Sequence, residues 1–359
     1  MSGGRGGVLA ALLSDDGPRS RVLAVLLLAI AAGLAATPFV FPGSQPIGAA
    51  AKICVFIMLA ASYDILLGYT GVVSFAHTMF FGIGGYGVAI ALDRLGPGWG
   101  QVALGVVAAL GLSCVLALAI GLISLRVRAI FFAMITLAVA SAFLVLASQL
   151  STLTGGEDGI SFQLPGELRP AFRPFAEPVL GLAINGRVLA YYMILAVTVL
   201  VFLGLLRVVN SPFGRVLQAI RENEFRAEAL GYRVVAYRTA ASVISACAAT
   251  VAGAMLALWL RYNGPDTTLS FSIMIDVLLM VVIGGMGTLY GAVVGATLLV
   301  LAQTYLQAVM AKASAAAAGA PIVAAILHPD RWLLWLGVLF VLSVYFFPTG
   351  VVGRLRGGR

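Results

Sequence analysis

Runs of about 20 apolar residues, separated by short breaks of charge, glycine or proline, follow one another along almost the whole chain. Hydrocarbon offers no partner for backbone polar groups, so a spanning segment must satisfy its N–H and C=O groups internally. For long runs without strand-like alternation, that requires an α-helix. Ten such runs can be marked, at 22–41, 48–67, 75–92, 101–125, 129–148, 188–206, 239–260, 271–283, 290–309 and 332–347. The predicted fold is an all-α polytopic membrane protein of about ten transmembrane helices, some broken or Gly-rich. Composition agrees: 10% of the residues are charged and the mean hydropathy is +1.06, whereas a soluble domain carries about 25% charged residues.

Charge sets the expected topology. Arg5, Arg19 and Arg21 precede or open the first run, and Arg126 and Arg128 follow the fourth. The stretch 207–238 follows the sixth run, and Arg354, Arg356 and Arg359 follow the tenth. An even number of crossings separates each basic cluster from the next, so ten spans put all four on one face. By the bias of Lys and Arg toward the cytoplasm, that face is cytoplasmic, and both termini lie there. The expected organisation is a cytoplasmic leader at 1–20, a transmembrane domain at 21–348 and a basic cytoplasmic tail at 349–359. Within the domain, 149–187 is an external loop and 207–238 a cytoplasmic segment; a second external segment, 311–331, reads as a loop or a short surface helix. The first run approaches span length, unlike the short core of a cleavable signal. The net charge of +8 does not indicate nucleic-acid binding, because the arginines cluster beside span ends. Cys54, Cys114 and Cys247 lie in apolar runs without C-x-x-C spacing and read as packing residues, and the two histidines suggest no metal site.

One stretch does not belong to the membrane. From Ser211 to Gly231 charged residues alternate with apolar ones at helical spacing: Phe213, Val216, Leu217, Ile220, Ala227 and Leu230. Ser211 is placed to cap a helix, with Pro212 at its first position, where a missing N–H costs nothing. Gly231 can close the helix in a left-handed cap. Arg215, Arg221, Glu222, Glu224, Arg226 and Glu228 keep this elbow in water, while its apolar stripe needs a cover.

Two glycine-rich stretches fall inside apolar runs, Gly68 to Gly87 and Gly284 to Gly291. Dense glycine in a span signals either close helix packing or a broken helix that lines a path. Tyr69, Gly71, Ser74, His77, Gly82, Gly85, Tyr86, Gly284, Gly285 and Gly287 are the translocation-path candidates, and the two stretches are expected to meet each other or a partner. Ionisable groups in spans are expensive and informative. Asp64 near the inner end of the second span reads as a cap or a partner of the Gly68 turn; His77 reads as a packed imidazole or a path residue, and a relay through both is the sharper alternative. Outside, Thr154, Gly155, Gly156, Asp158 and Gly159 form a glycine-permitted turn that is either structural or a docking contact for an external partner. The chain has no phosphate-binding G-x-x-x-x-G-K-[ST], no G-x-S-x-G and no H-E-x-x-H, so neither ATP binding by a P-loop nor a hydrolase of those types is indicated.

Four segments in order carry a resemblance. They are Leu67-Gly-Tyr-Thr-Gly71 with Ser74-Phe-Ala-His77 and Phe81-Gly82, then Thr154-Gly-Gly-Glu-Asp-Gly159. Next comes Ser211-Pro-Phe-Gly-Arg215 with Ala219-Ile-Arg221-Glu-Asn-Glu224 and Ala227-Glu-Ala-Leu-Gly231, and last Gly284-Gly-Met-Gly287-Thr-Leu-Tyr-Gly291. Together they resemble the permease family of ATP-driven branched-chain amino acid importers, specifically the longer, M-type subunit, over about 47–347. Ala76 stands where members often have a short polar residue or glycine, and Asp64 where asparagine is also common.

The resemblance implies a non-catalytic subunit in a bacterial inner membrane. It implies a second homologous permease, two cytosolic ATPases and an external solute-binding protein as partners. ATP and Mg would be held by the ATPases and no cofactor by this chain. Ser211, Pro212, Phe213, Gly214, Arg215, Arg221, Glu222, Asn223, Glu224, Ala227, Glu228 and Gly231 would form the ATPase-coupling helix. Branched-chain or other hydrophobic amino acids are the implied solutes, with amides and urea within the family's range. The rival readings are an ion-coupled secondary transporter of small organic solutes, an intramembrane enzyme built on His77 and Asp64, and a membrane scaffold.

Overall fold

The computed structural model describes residues 20–41, 43–124, 129–174, 184–316, 326, 328–347 and 349–356. Leader 1–19, Arg126, Arg128 and Arg359, invoked above for topology, lie outside the described residues. Helix α1 (Arg21–Val40) opens under a Ser20 cap, whose Oγ accepts the Leu23 N–H at 3.0 Å. Helix α2 (Ser44–Asp64) runs without a break into a π-helical turn, Ile65–Thr70. Then follow α3 (His77–Leu95), α4 (Trp99–Ser124), α5 (Ala129–Gln149) and α6 (Gly186–Asn210). The elbow contributes α7 (Pro212–Glu222) and α8 (Glu224–Ala229). The rest is α9 (Val234–Leu260), α10 (Phe271–Gly284), α11 (Leu289–Ala316), α12 (Trp332–Phe346) and a short α13 (Gly350–Arg356).

Among the described residues, nine helical stretches are long and apolar enough to cross a membrane, matching nine of the ten expected runs. The exception, 75–92, is helical as α3 but is diluted by glycine, His77, Asp93 and Arg94. Its position explains this. Nearly every residue from His77 to Leu92 is buried, with α3 lodged between α9 and α4, so it needs small residues for contact more than an apolar coat for lipid. At the α3–α9 crossing a side chain on Gly84 would run into the Thr250 carbonyl, and one on Gly253 into the Phe81 carbonyl. The backbones therefore touch, as small residues permit. The same sorting separates the other helices: 83% of the most apolar window of α2 is buried against 17% of that of α1, placing α2 inside and α1 at the rim.

The far end of the bundle from the elbow is closed by local structure in 149–174. A one-turn helix (Ser151–Thr154) and two 3₁₀ turns (Gly156–Asp158 and Gly166–Leu168) flank β1 (Ile160–Ser161). Strand β1 pairs antiparallel with β2 (Tyr262–Asn263), Ile160 opposite Asn263, which ties this segment to the end of α9. In 311–331, α11 continues to Ala316 and a 3₁₀ turn covers Pro329–Arg331; residues 317–325 and 327 lie outside the described residues. The helix outruns its expected end at 309 because the alanines beyond it are strong helix formers.

Candidate functional site

The elbow is built by local capping. Ser211 adopts an extended conformation, and its Oγ accepts the Gly214 N–H at 3.4 Å while donating to the Val208 carbonyl at 2.6 Å. Helix α7 ends at Glu222, because Asn223 is extended (φ −157, ψ 100) and its Oδ1 accepts the Arg226 N–H at 2.9 Å, starting α8. The elbow is therefore two helices with a joint at Asn223, where one continuous helix was expected; the short amide side chain competes for backbone donors and starts a new helix. Gly231 takes φ +89 and donates to the Glu228 carbonyl at 2.8 Å, as its expected capping role requires.

The apolar stripe folds back onto the protein's own bundle. Ile220, Ala227 and Val234 form a small buried cluster, and Leu217 joins the main core. Phe213 stacks on Tyr237 with ring centroids 5.6 Å apart. Glu224 accepts both Nη atoms of Arg238 at 2.8 and 3.1 Å, a two-pronged clasp from the first turn of α8 to α9. Leu230 corrects the expected stripe: it is 72% exposed. With Phe225, which is 85% exposed, it leaves the outward side of α8 apolar amid Glu222, Arg226 and Glu228.

Arg221 points the other way. Its Nη1 donates to the carbonyl of Gly68, in the π turn that ends α2. At the start of that turn Oδ1 of Asp64, the last residue of α2, accepts the Gly287 N–H at 2.8 Å, with the Thr288 N–H and the Arg221 guanidinium also facing the buried carboxylate. Three segments distant in sequence thus meet: the α2–α3 break, the elbow and the α10–α11 loop. The glycines are needed where they meet. Gly71 takes φ +71 with Arg221 Cγ 3.2 Å from where a Cβ would sit, and Gly287 takes φ +79 against Gly68 and Arg221. Gly350, opening α13, packs directly on Gly285.

The other path candidates separate. His77 begins α3 and is buried, its Nε2 3.0 Å from Ser62 Oγ and 3.4 Å from Ser245 Oγ, with the Tyr63 ring edge-on at 5.1 Å. Ser245 Oγ donates to the Ser62 carbonyl. Ser74 Oγ accepts the Ala76 N–H at 3.4 Å in the non-helical link before α3, and Tyr69 lies in the π turn. Gly82 and Gly85 pack farther along α3 against Leu269 and Asn263, while Tyr86 lines a cleft of about 500 Å³ between α3, α4 and α5. Gly284 and Gly285 join the node through the α10–α11 loop.

At the far end, Thr154 is buried, its Oγ1 donating to the Leu150 carbonyl at 2.8 Å and accepting the Gly156 N–H at 3.2 Å. Gly155 and Gly159 turn the chain at positive φ, and the Asp158 carbonyl accepts the Tyr262 hydroxyl at 3.0 Å. The Glu157 and Asp158 side chains stay exposed. Sequence reasoning did not single out Arg238 or Phe225. The bare aromatic in Glu224-Phe-Arg226 was the available signal for the second; nothing local marks Arg238 as the partner of Glu224.

Comparison with known proteins agrees with this architecture. The family described as the branched-chain amino acid transport system / permease component matches residues 45–344. A high-affinity branched-chain amino acid transport system permease protein LivM from Salmonella typhimurium is 26% identical, covering 93% of this chain and 75% of that protein. The corresponding protein BraD from Pseudomonas aeruginosa is 29% identical over 83% of this chain and 92% of its own. A probable LivM from Methanocaldococcus jannaschii is 24% identical, covering 83% of this chain and 90% of its own length. No solved structure matches the chain. With a match spanning most of its length and an all-helical membrane fold to accompany it, the chain belongs to the branched-chain amino acid transport permease family.

Proposed function

We propose that this chain is the permease subunit of an ATP-driven importer of branched-chain or other hydrophobic amino acids, or of related small solutes such as amides or urea. It works in a bacterial inner membrane beside a second homologous permease, two cytosolic ATPases and an external solute-binding protein. The observation that carries this reading is the two-sidedness of the elbow. One side is fastened to the bundle through Arg221 on Gly68 and Glu224 on Arg238; the other leaves Phe225 and Leu230 bare in a charged surround. An apolar patch rimmed by charge is what a soluble partner needs for docking.

ATP and Mg bound on the ATPases supply the energy, and this chain does no covalent chemistry. When the ATPases close, α7 and α8 are displaced, and Arg221 carries that displacement to the Gly68 turn and, through Asp64, to the Gly287 loop. Both connections are glycine turns at the ends of spans, positions that absorb backbone rotation. The bundle then alternates between outward and inward access.

Purification of the tagged chain in mild detergent, with mass spectrometry of what accompanies it, tests this. Two ATPase chains and a second permease should copurify, and reconstituted vesicles should take up solute only with ATP. A lone chain that transports with an ion gradient and without any ATPase would overturn the reading in favour of a secondary transporter.

A further inference from the structure

We propose that the face opposite the elbow carries a two-part pocket for the carboxylate group of a small apolar acid, with Arg187 and Arg261 lining one part and Arg169 and Arg261 the other. Two adjoining cavities of about 270 and about 390 Å³ open there and share Leu164, Pro170 and Arg261. The three arginines come from three elements: the segment after β1, the first turn of α6 and the residue that ends α9. Helix α6 ends, and α9 begins, at the elbow, so these opposite helix ends lie on the far face.

Two of the guanidinium groups are oriented in advance, and the third residue is fixed at its backbone. Arg187 lies over the Trp259 ring with its central carbon 5.2 Å from the centroid, and its Nη2 donates to the Ser44 carbonyl at 3.3 Å. Arg169 donates from Nε to the Leu164 carbonyl and from Nη2 to Gln163 Oε1, both at 3.1 Å. Arg261 is the one non-glycine residue at positive φ among the described residues (φ 58, ψ 25). Its N–H donates to the Ala257 carbonyl at 2.8 Å, and its carbonyl accepts the Phe162 N–H at 3.2 Å. A left-handed arginine is an uncommon conformation, of the kind that collects at binding sites.

Among the described residues, no ion pair neutralises these three arginines: the ion pairs are Arg238 with Glu224 and His328 with Asp330. Glu167, on the same segment as Arg169, accepts the Trp99 indole N–H at 3.0 Å. Planar guanidinium groups fit carboxylates in forked pairs, and a surface of leucine and tryptophan beside them suits a short apolar tail. With the elbow cytoplasmic, as the proposed function has it, the pocket faces outward and is a first station for an incoming amino acid; that role rests on the importer reading.

The test uses the full chain in nanodiscs of neutral lipid, without ATP, and reads Trp259 emission against a Trp259→Phe control. The probes are leucine, 4-methylpentanoate, which has the same skeleton without the ammonium group, and 3-methylbutylamine, which has no carboxylate. Both carboxylates should bind and the amine should not. Arg187→Gln and Arg261→Gln should each weaken binding about tenfold, the scale of one charge-assisted hydrogen bond, and Arg187→Lys by less. Equal binding of the amine, indifference to the arginine substitutions, or no binding by a chain with intact helical circular dichroism would overturn the proposal. Loss of carboxylate binding in nanodiscs of anionic lipid would assign the pocket to lipid phosphate instead. A negative result here leaves ATP-dependent uptake untouched, and failure of that uptake leaves this binding untouched.

Discussion

Arg221→Ala is the sharpest probe of the coupling reading. The substitution removes one guanidinium bond to the Gly68 carbonyl and one positive charge facing Asp64, while the buried face of α7, set by Leu217 and Ile220, is unchanged. Hydrogen bonds to charged groups are worth about 1.5–3 kcal/mol. Arg221 is exposed and its bond to Gly68 only part-buried, which places the expected loss at the low end, roughly 1.5 kcal/mol, or about tenfold in the population of the linked state. The assay is uptake and ATP hydrolysis measured together in vesicles containing the whole complex. Hydrolysis should persist and solute moved per ATP should fall about tenfold, with Arg221→Lys intermediate because it keeps the charge without the fork. An unchanged ratio would refute the linkage. Loss of the ATPases from the purified complex would refute it differently, by showing that Arg221 is a docking contact.

Three other expectations follow from the same geometry. Phe225→Ala should leave the thermal stability of the chain unchanged while lowering ATPase retention in detergent by about 2 kcal/mol in affinity, the scale of an exposed aromatic anchor, measured by pull-down titration. Glu224→Gln should lower solute moved per ATP less than Arg221→Ala does, by about 1 kcal/mol or less, because its clasp with Arg238 is half open to solvent. Gly253→Ala should drive a methyl group into the Phe81 carbonyl and part α3 from α9, lowering the unfolding temperature in detergent by an amount equivalent to about 1–3 kcal/mol; an unchanged transition would show that the two backbones do not touch.

What could be read from the chain alone was local. Span length, the Ser211 cap, Pro212 at the first helical position and the Gly231 stop depend on residues within a few positions of one another, and the structure reproduces each. The division of the elbow at Asn223 is also local in cause, since an asparagine cap needs only its own next turn, but the apolar spacing continues across it and masks the joint. Apolar length cannot say which face a helix turns to lipid and which to protein, so the internal seat of α3 emerges only from its packing against α9 and α4.

The meeting of the α2–α3 break, the elbow and the α10–α11 loop lies further still from what a sequence can display. Arg221 and Gly68 are 153 positions apart, and Asp64 and Gly287 are 223 apart. The glycines announced that something had to come close but not what. Sequence by itself determined that this is a bundle of membrane helices with one charged elbow, because hydropathy and capping act over short range. Only the tertiary structure decided that the elbow's arginine rests on the break after α2, and that this break is bound to the α10–α11 loop. Those pairings are set by which helix ends the packed bundle brings to the same face.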